Sequence, residues 1–172
     1  MERLDLYTRD RQHLPLTIER GCPLPPDTYR LVVHICLFNR QGKMLIQQRQ
    51  SAKCIFPSLW DLSAGGQVTA GETSWQAARR ETAEELGLFL SENSLRPKFT
   101  MNFPEGFDDV YLLTTDVSLD ALRLQEEEVQ AVRFADEAAI LRMIQDGCFV
   151  PYHESYIHLL FTMRDKSGTF IS

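Results

Sequence analysis

The stretch GQVTAGETSWQAARRETAEELGL, residues 66–88, carries the strongest local structural signal in this 172-residue chain. Thr73 followed three residues later by Gln76 fits a capping box, and Gly87 fits the left-handed position just past a helix end. These signals predict a helix from about Ser74 to Leu86. Four of its residues share one face at helical spacing and are expected to pack on a sheet: Trp75, Ala78, Thr82 and Leu86.

Three glutamates of this helix, Glu81, Glu84 and Glu85, recur at i, i+3 and i+4, which brings their carboxylates to one neighbouring face. Like charges at this spacing repel, and Arg79 and Arg80 are expected toward the far side, outside the cluster. A solvated acidic face is the ordinary explanation of such a charge run and, taken alone, is favoured over a binding site. The residues before the helix reverse that preference.

Paired glycines, Gly65 and Gly66, precede the helix where a strand approaches it, and the Gly71–Glu72 turn leads into it. Glycine lets the backbone come close to a metal ion or a phosphate because it has no side chain. Mg²⁺ prefers oxygen ligands and is usually held by a few carboxylates together with substrate phosphates. A glycine-lined approach followed by a carboxylate-bearing helix therefore predicts a site for a diphosphate–metal complex.

The same stretch resembles the Nudix box, G-x5-E-x7-R-E-U-x-E-E-x-G-U, in which U is a bulky aliphatic residue. The chain matches every fixed position of this box: Gly66, Glu72, Arg80, Glu81, Glu84, Glu85 and Gly87. Thr82 stands where an aliphatic residue is usual, and because it lies on the packing face we expect it to alter packing and not chemistry. A motif of this length is far more specific than a lone G-x-G-x-x-G.

The resemblance implies a Mg²⁺- or Mn²⁺-dependent hydrolase that cleaves a diphosphate linkage in a nucleoside diphosphate derivative or a related organic diphosphate. It implies four metal-ligating residues, the last through its carbonyl: Glu81, Glu84, Glu85 and Gly65. It also implies that Arg80 and Glu72 brace the loop against the helix. The general base varies within the family, so Glu81 and a carboxylate from a later loop both remain candidates.

Outside this stretch the chain shows further strand and helix patterns. Strands are predicted at residues 4–8, 14–18, 29–38, 44–48, 67–69, 97–102, 110–115 and 129–134, and further helices at about 136–146 and 152–163. The first two strands flank a polar turn and are expected to pair as a hairpin. This mixture indicates an α+β fold, and the resemblance implies an α/β/α sandwich around a mixed sheet. We predict a single domain over residues 1–172, with 1–28 as hairpin and lead-in.

A second resemblance, to isopentenyl-diphosphate isomerase and its hydrolase-like relatives, rests on Leu37-Phe38-Asn39, Gln48-Arg49, Lys53, Phe56-Pro57 and Trp60. It implies that Arg49 and Lys53 contact the substrate diphosphate; the alternative is two surface cations on a loop. The isomerase reaction itself is disfavoured, because Gly65 stands where the catalytic cysteine would be and Gln67 where a metal-binding histidine would be. Asp109 matches a catalytic, metal-linked acid of the isomerase, although it could equally cap a strand.

Weaker signals come from an isolated histidine and from an acidic run. His34 is interpreted as a satisfied interior histidine, with a substrate contact as the second possibility. The run of residues 126–128 is interpreted as a solvated loop in preference to a second metal site. Specificity is expected to depend on segments outside the box, among them residues 102–107 and the region near Tyr152.

Composition limits the partners. The formal charge of −6 and the absence of a basic stripe disfavour a nucleic-acid polymer. No apolar run could cross a bilayer, and the N-terminus is too polar for a secretory signal, so a cytoplasmic protein without a membrane partner is expected. The expected partner is a small-molecule diphosphate, and the sequence is compatible with a homodimer. Two alternatives to the hydrolase stay open: an isomerase of an isoprenoid diphosphate and a non-enzymatic nucleotide-binding module.

Overall fold

The computed structural model describes residues 2–166, 168 and 170. The strands are β1 Arg3–Tyr7, β2 His13–Glu19, β3 Arg30–Phe38, β4 Met44–Arg49, β5 Trp60–Asp61, β6 Ala64–Gln67, β7 Phe99–Phe103, β8 Gly106–Thr114 and β9 Val129–Ala135. The helices are α1 Ser74–Leu86, α2 Glu137–Gln145 and α3 Glu154–Met163, with a single 3₁₀ turn at Leu119–Ala121. Among the described residues, no helix combines the length and the apolar character that a membrane crossing requires.

A mixed seven-stranded sheet forms the centre of the fold. Its main path runs β5-β4-β3-β8-β7, while β6 pairs with β3 and β9 with β4. The β3–β8 pair is parallel and the remaining pairs are antiparallel. Strand β3 is apolar on both alternating faces because both faces of the sheet are covered, which is how its sequence was interpreted.

Helices cover the two faces of this sheet. Side chains of α1 pack with one set of β3 residues: Leu31, Val33, Ile35 and Leu37. Side chains of α2 and α3 pack on the opposite face, where the strands contribute Cys36, Phe38, Met44 and Ile46. The α+β class and the predicted α/β/α sandwich are therefore confirmed.

The N-terminal hairpin predicted from the sequence is present as the antiparallel pair β1–β2. It lies against the segment that leads into α1, since Leu4 forms an isolated bridge with Thr69. In addition, the buried Asp5 carboxylate accepts a hydrogen bond of 2.8 Å from the Gly71 N–H. The hairpin therefore supports the glycine-containing turn before the helix.

Two strands begin away from their predicted residues, and a third strand was not predicted. Strand β6 covers Ala64–Gln67 and not 67–69, because its pairing with β3 depends on backbone groups and its two glycines give no side-chain pattern. Strand β8 begins at Gly106 instead of 110, since its polar start is paired on both edges, with β3 and β7. Strand β5 has only two residues and was not predicted.

Candidate active site

Helix α1 begins and ends where its sequence signals predicted. The Thr73 side chain accepts from the Gln76 N–H, and the Gln76 side chain accepts from the Thr73 N–H, forming the expected capping box. Gly87 ends the helix with a left-handed φ of 65°. The predicted packing face is buried in full: Trp75, Ala78, Thr82 and Leu86. This orientation turns the acidic face of the helix toward β6.

Glycines in β6 make room for that acidic face. A Cβ added to Gly66 would lie 2.1 Å from Glu81 Oε1, so a side chain at this position would displace the carboxylate. A Cβ at Gly65 would lie 2.8 Å from the Val33 carbonyl oxygen, a backbone atom that cannot rotate away. The paired glycines therefore allow the helix carboxylates to approach the strand backbone, as their placement in the sequence predicted.

The expectation that Arg80 points away from the glutamates is wrong. Its guanidinium donates to Glu72 at 2.8 and 3.0 Å, to Glu81 at 2.8 Å and to Glu84 at 3.1 Å. A fifth hydrogen bond, of 3.0 Å, goes to the Gln67 carbonyl. The reason is that helical side chains lean toward the N-terminus, so a long side chain reaches back over the preceding turn. The acidic cluster therefore contains one cation, which compensates part of its charge.

Glu85 is held differently, from the sheet side. The residue is 7 % exposed, and its carboxylate accepts from Gln47 Nε2 at 2.9 Å and from the Gly65 N–H at 3.3 Å. Burial, together with the charge of Glu81, raises the pKa of Glu85 to about 8. Burial also raises the pKa of Glu81, although Arg80 acts in the opposite direction. Both carboxyl groups therefore lie where a nearby positive charge would strongly favour ionisation.

A cleft of about 530 Å³ opens over these groups. It is lined by eight of the residues singled out in the sequence: Arg49, Lys53, Gly65, Gly66, Arg80, Glu81, Glu84 and Glu85. Glu72 lies behind them and contacts the site through Arg80. The carboxylates of one helix thus line the same cavity as two cations, Arg49 at the end of β4 and Lys53 in the loop after it. These two groups lie 28 to 36 residues apart in the sequence.

Both of these cations are paired with carboxylates. Arg49 donates from Nη1 to Asp61 at 3.0 Å and from Nε to the Ile55 carbonyl at 3.1 Å. Lys53 forms an ion pair with Glu128, which precedes β9. Glu128 belongs to the run interpreted as a solvated loop, and instead it lines the cleft. Neither pairing could be predicted from the sequence, because both partners are distant along the chain.

Asp109 lies outside this cleft. Its carboxylate is fully buried, accepting from Arg11 at 2.5 Å and from Thr100 at 2.6 Å. The preceding residue, Asp108, has the opposite orientation and binds His34 Nδ1 at 2.8 Å. Successive residues of a strand point to opposite faces, so adjacent acids cannot share one environment. The catalytic role expected for Asp109 therefore has no support from its position.

His34 has a partner, as an interior histidine should, yet it also reaches the cleft. Burial favours its neutral form, but the adjacent Asp108 carboxylate outweighs this effect and raises the His34 pKa to about 9. The Tyr152 hydroxyl lies 3.4 Å from His34 Nε2. Tyr152 therefore lies beneath the cleft, before α3, in a region where specificity residues were expected.

Sequence reasoning missed two further charged cleft residues, Glu2 and Arg20, which belong to the N-terminal hairpin region. They form an ion pair of 2.6 Å. No spacing relates them to residues 66–88, so only the docking of the hairpin identifies them. The hairpin therefore contributes charged groups to the cleft as well as support for the turn.

Comparison with known proteins extends the resemblance seen in residues 66–88. The family model for the NUDIX domain matches residues 28–163. An uncharacterised Nudix hydrolase of Listeria monocytogenes is 42 % identical, with 97 % of this chain and 98 % of that protein covered. Nudix hydrolase 3 of Arabidopsis thaliana is 31 % identical over 88 % of this chain and 22 % of its own length.

Among solved structures, DR0079 from Deinococcus radiodurans has a TM-score of 0.76 at 27 % identity, covering 94 % of this chain and 99 % of its own. An isopentenyl-diphosphate Delta-isomerase of Escherichia coli is also similar, at 29 % identity over 74 % of each chain. The likeness to the isomerase is weaker than the likeness to the hydrolases, in agreement with the sequence analysis.

Proposed function

This chain belongs to the Nudix hydrolase family, and from that membership we propose that it hydrolyses a diphosphate linkage with the help of Mg²⁺ or Mn²⁺. The substrate class is a nucleoside diphosphate derivative or a related organic diphosphate. One observation carries the proposal: the cleft that holds Glu81, Glu84 and Glu85 also holds Arg49 and Lys53. Carboxylates suit a divalent cation, and the two side-chain cations suit phosphate oxygens.

The donor set fits a hard divalent cation. The three carboxylates offer oxygens, and the resemblance adds the carbonyl oxygen of Gly65, a residue that also lines the cleft. The raised pKa values of Glu81 and Glu85 fit as well, since a cation between them would favour their charged forms. Within the described part of the chain, no three acidic, histidine or cysteine side chains are already gathered in a geometry that could hold a metal. Binding would accordingly require Glu81 and Glu84 to turn from Arg80.

A bound Mg²⁺ or Mn²⁺ would neutralise diphosphate charge and lower the pKa of a coordinated water. The chain's own groups supply orientation. Arg49 offers a planar fork and Lys53 a point charge to the phosphates. Gln47 and the Gly65 N–H fix the direction of Glu85. Proton acceptance from the attacking water falls to Glu81 or to Glu128, which is the later-loop carboxylate that lies on the cleft.

The test is turnover of a diphosphate panel, with release of phosphate and monophosphate measured in Mg²⁺, in Mn²⁺ and in chelator. Wild-type protein should turn over at least one compound, and chelator should abolish the reaction. Glu85→Gln should lose turnover and keep its melting temperature, because it removes a ligand charge and preserves the shape of the side chain. The control is Glu92→Gln, at a glutamate whose side chain is 92 % exposed and pairs with Arg79.

Three results would contradict the proposal. Binding of diphosphates without turnover would favour the non-enzymatic module. Interconversion of isoprenoid diphosphates would favour the isomerase, against the lack of room for a side chain at Gly65. Near-wild-type activity of Glu85→Gln would remove that residue from the site.

A further inference from the structure

Beneath Arg49 lies a carboxylate that the hydrolase motif does not include. Asp61 is in β5, which pairs with β4 so that Gln47 faces Asp61 and Gln48 faces Trp60. It is 8 % exposed, and its Oδ2 accepts from Arg49 Nη1 at 3.0 Å. A buried acid paired with a cation at the cleft surface needs an explanation, because isolated buried charge is costly.

Both oxygens of this carboxylate are engaged. Oδ1 accepts from the Leu62 N–H at 2.8 Å and from the Tyr152 hydroxyl at 2.9 Å. Tyr152 precedes α3, so the contact links the helix layer on one face of the sheet to the cleft. The donors to Oδ1 fix the orientation of the Asp61 carboxylate. Oδ2 therefore points in one direction, toward Arg49.

The guanidinium of Arg49 is fixed at two of its three nitrogens. Nε donates to the Ile55 carbonyl and Nη1 donates to Asp61. Within the described residues, Nη2 has no hydrogen-bond partner, and Arg49 lines the cleft. An arginine side chain loses considerable rotamer entropy when it becomes ordered. Because these contacts already order Arg49, little further entropy would be lost when an anion binds. Lys53 differs, since its partner Glu128 is 32 % exposed.

We propose that Asp61, held by Tyr152, is a positioning residue that orients Arg49 for the substrate diphosphate. The inference rests on the proposed function, because it assigns a substrate contact to Arg49. Asp61 acts through Arg49 and does not touch the substrate. The ligand chemistry is a diphosphate oxygen, which the preset donors of Arg49 would bind with less ordering than those of a free side chain.

The direction in which Asp61→Asn changes kcat/KM distinguishes an orienting role of Asp61 from a simple effect of its charge. Replacing Asp61 with asparagine removes a negative charge beside the anion site, which by itself would strengthen attraction for a diphosphate. Orientation predicts the opposite, since the Arg49 fork loses a charge-assisted hydrogen bond. A fall in kcat/KM for Asp61→Asn therefore cannot come from the altered charge.

The experiment is a double-mutant cycle of Asp61→Asn and Arg49→Ala, measured as kcat/KM on a compound that wild type turns over. In the wild-type background, Asp61→Asn should lower kcat/KM about tenfold, the size of one lost hydrogen bond to a charged group. In the Arg49→Ala background, the same change should cost less than about twofold. A merely structural role for Asp61 would produce equal losses in both backgrounds.

A second pair of variants guards against misfolding of Asp61→Asn. Tyr152→Phe removes one hydrogen bond to Asp61 and should lower kcat/KM about threefold. Tyr156→Phe is the matched control, because the Tyr156 hydroxyl is buried without a hydrogen-bond partner among the described residues. It should leave kcat/KM unchanged, and melting temperatures are recorded for all variants.

The possible results distinguish a failure of the positioning role of Asp61 from a failure of the proposed hydrolase function. Equal losses for Asp61→Asn in the two backgrounds, or equal effects of the two tyrosine variants, overturn the positioning role and leave the hydrolase assignment intact. A wild type that turns over no compound of the panel overturns the proposed function and the positioning role together. Non-additive losses that disappear with Arg49 support the role.

Discussion

Arg80 provides the sharpest test of how the acidic helix is held. Its five N–H groups make five hydrogen bonds, to Glu72, Glu81, Glu84 and the Gln67 carbonyl. Lysine keeps the positive charge but offers three donors from one nitrogen. Arg80→Lys therefore removes at least two bonds without changing the formal charge of the protein.

The magnitude follows from the number of lost bonds and from their exposure. The Arg80 side chain is 25 % exposed, so each lost bond is valued at about 1 kcal/mol, below the usual range for bonds to charged groups. Two such bonds give a loss of about 2 kcal/mol in the free energy of unfolding. For a chain of this size, that corresponds to a fall of about 6 °C in melting temperature.

The assay is urea unfolding in chelator, with the neighbouring Arg79→Lys as control. Arg79 makes a single ion pair of 3.7 Å with an exposed glutamate, so this variant should change the free energy by less than about 0.5 kcal/mol. Each lost hydrogen bond is expected to cost about 1 kcal/mol. The reasoning is therefore refuted if the free energy of unfolding of Arg80→Lys stays within about 0.5 kcal/mol of the wild-type value. It is also refuted if the two variants lose equal stability.

Three other changes test separate features. Asp109→Asn should lower the free energy of unfolding by about 2 kcal/mol, because Arg11 loses its buried partner, and should keep kcat at a permissive temperature; an inactive, fully stable variant would return Asp109 to the active site. Thr82→Val should keep kcat and match or exceed wild-type stability, since the lost hydroxyl only bonds back within its own helix. For His34, a pKa raised from 6.5 to about 9 contributes stability that is present below pH 6.5 and is lost as the pH rises through 9. The stability advantage of wild type over His34→Gln should therefore shrink by about 3 kcal/mol across this range, and a constant difference in urea unfolding would contradict the Asp108 pairing.

Helix α1 was predictable because its signals are local. The capping box, the terminal glycine and the packing face all lie within the element that they define, so no tertiary information was needed. Strand β6 was misplaced because its pairing with β3 uses backbone groups of glycines, for which no apolar alternation exists. Strand β5, which carries Asp61, was missed for a different reason, since two residues are too few to show an alternating pattern.

The sequence was enough to predict which residues line the candidate site. It was not enough to predict which of them form hydrogen bonds or ion pairs with each other. The sequence placed eight residues that line one cleft, yet it gave no indication that Arg80 lies among the glutamates. It also gave no indication that Asp109 faces away from the cleft, because the orientation of a strand residue depends on register, and a one-residue shift inverts the face. Partners such as Asp61 and Glu128 depend on long-range pairing, which one sequence does not reveal.

The two cations proposed to bind the diphosphate, Arg49 and Lys53, are paired in different ways. Arg49 rests on Asp61, whose side chain is 11 % exposed. Lys53 pairs with Glu128, which is 32 % exposed and lines the cleft itself. An incoming diphosphate competes directly with a rim carboxylate, whereas a carboxylate underneath keeps its bond while the cation binds the anion. On the proposed function, Asp61 would set the direction of Arg49, and Glu128 would have to release Lys53 before a diphosphate could bind it.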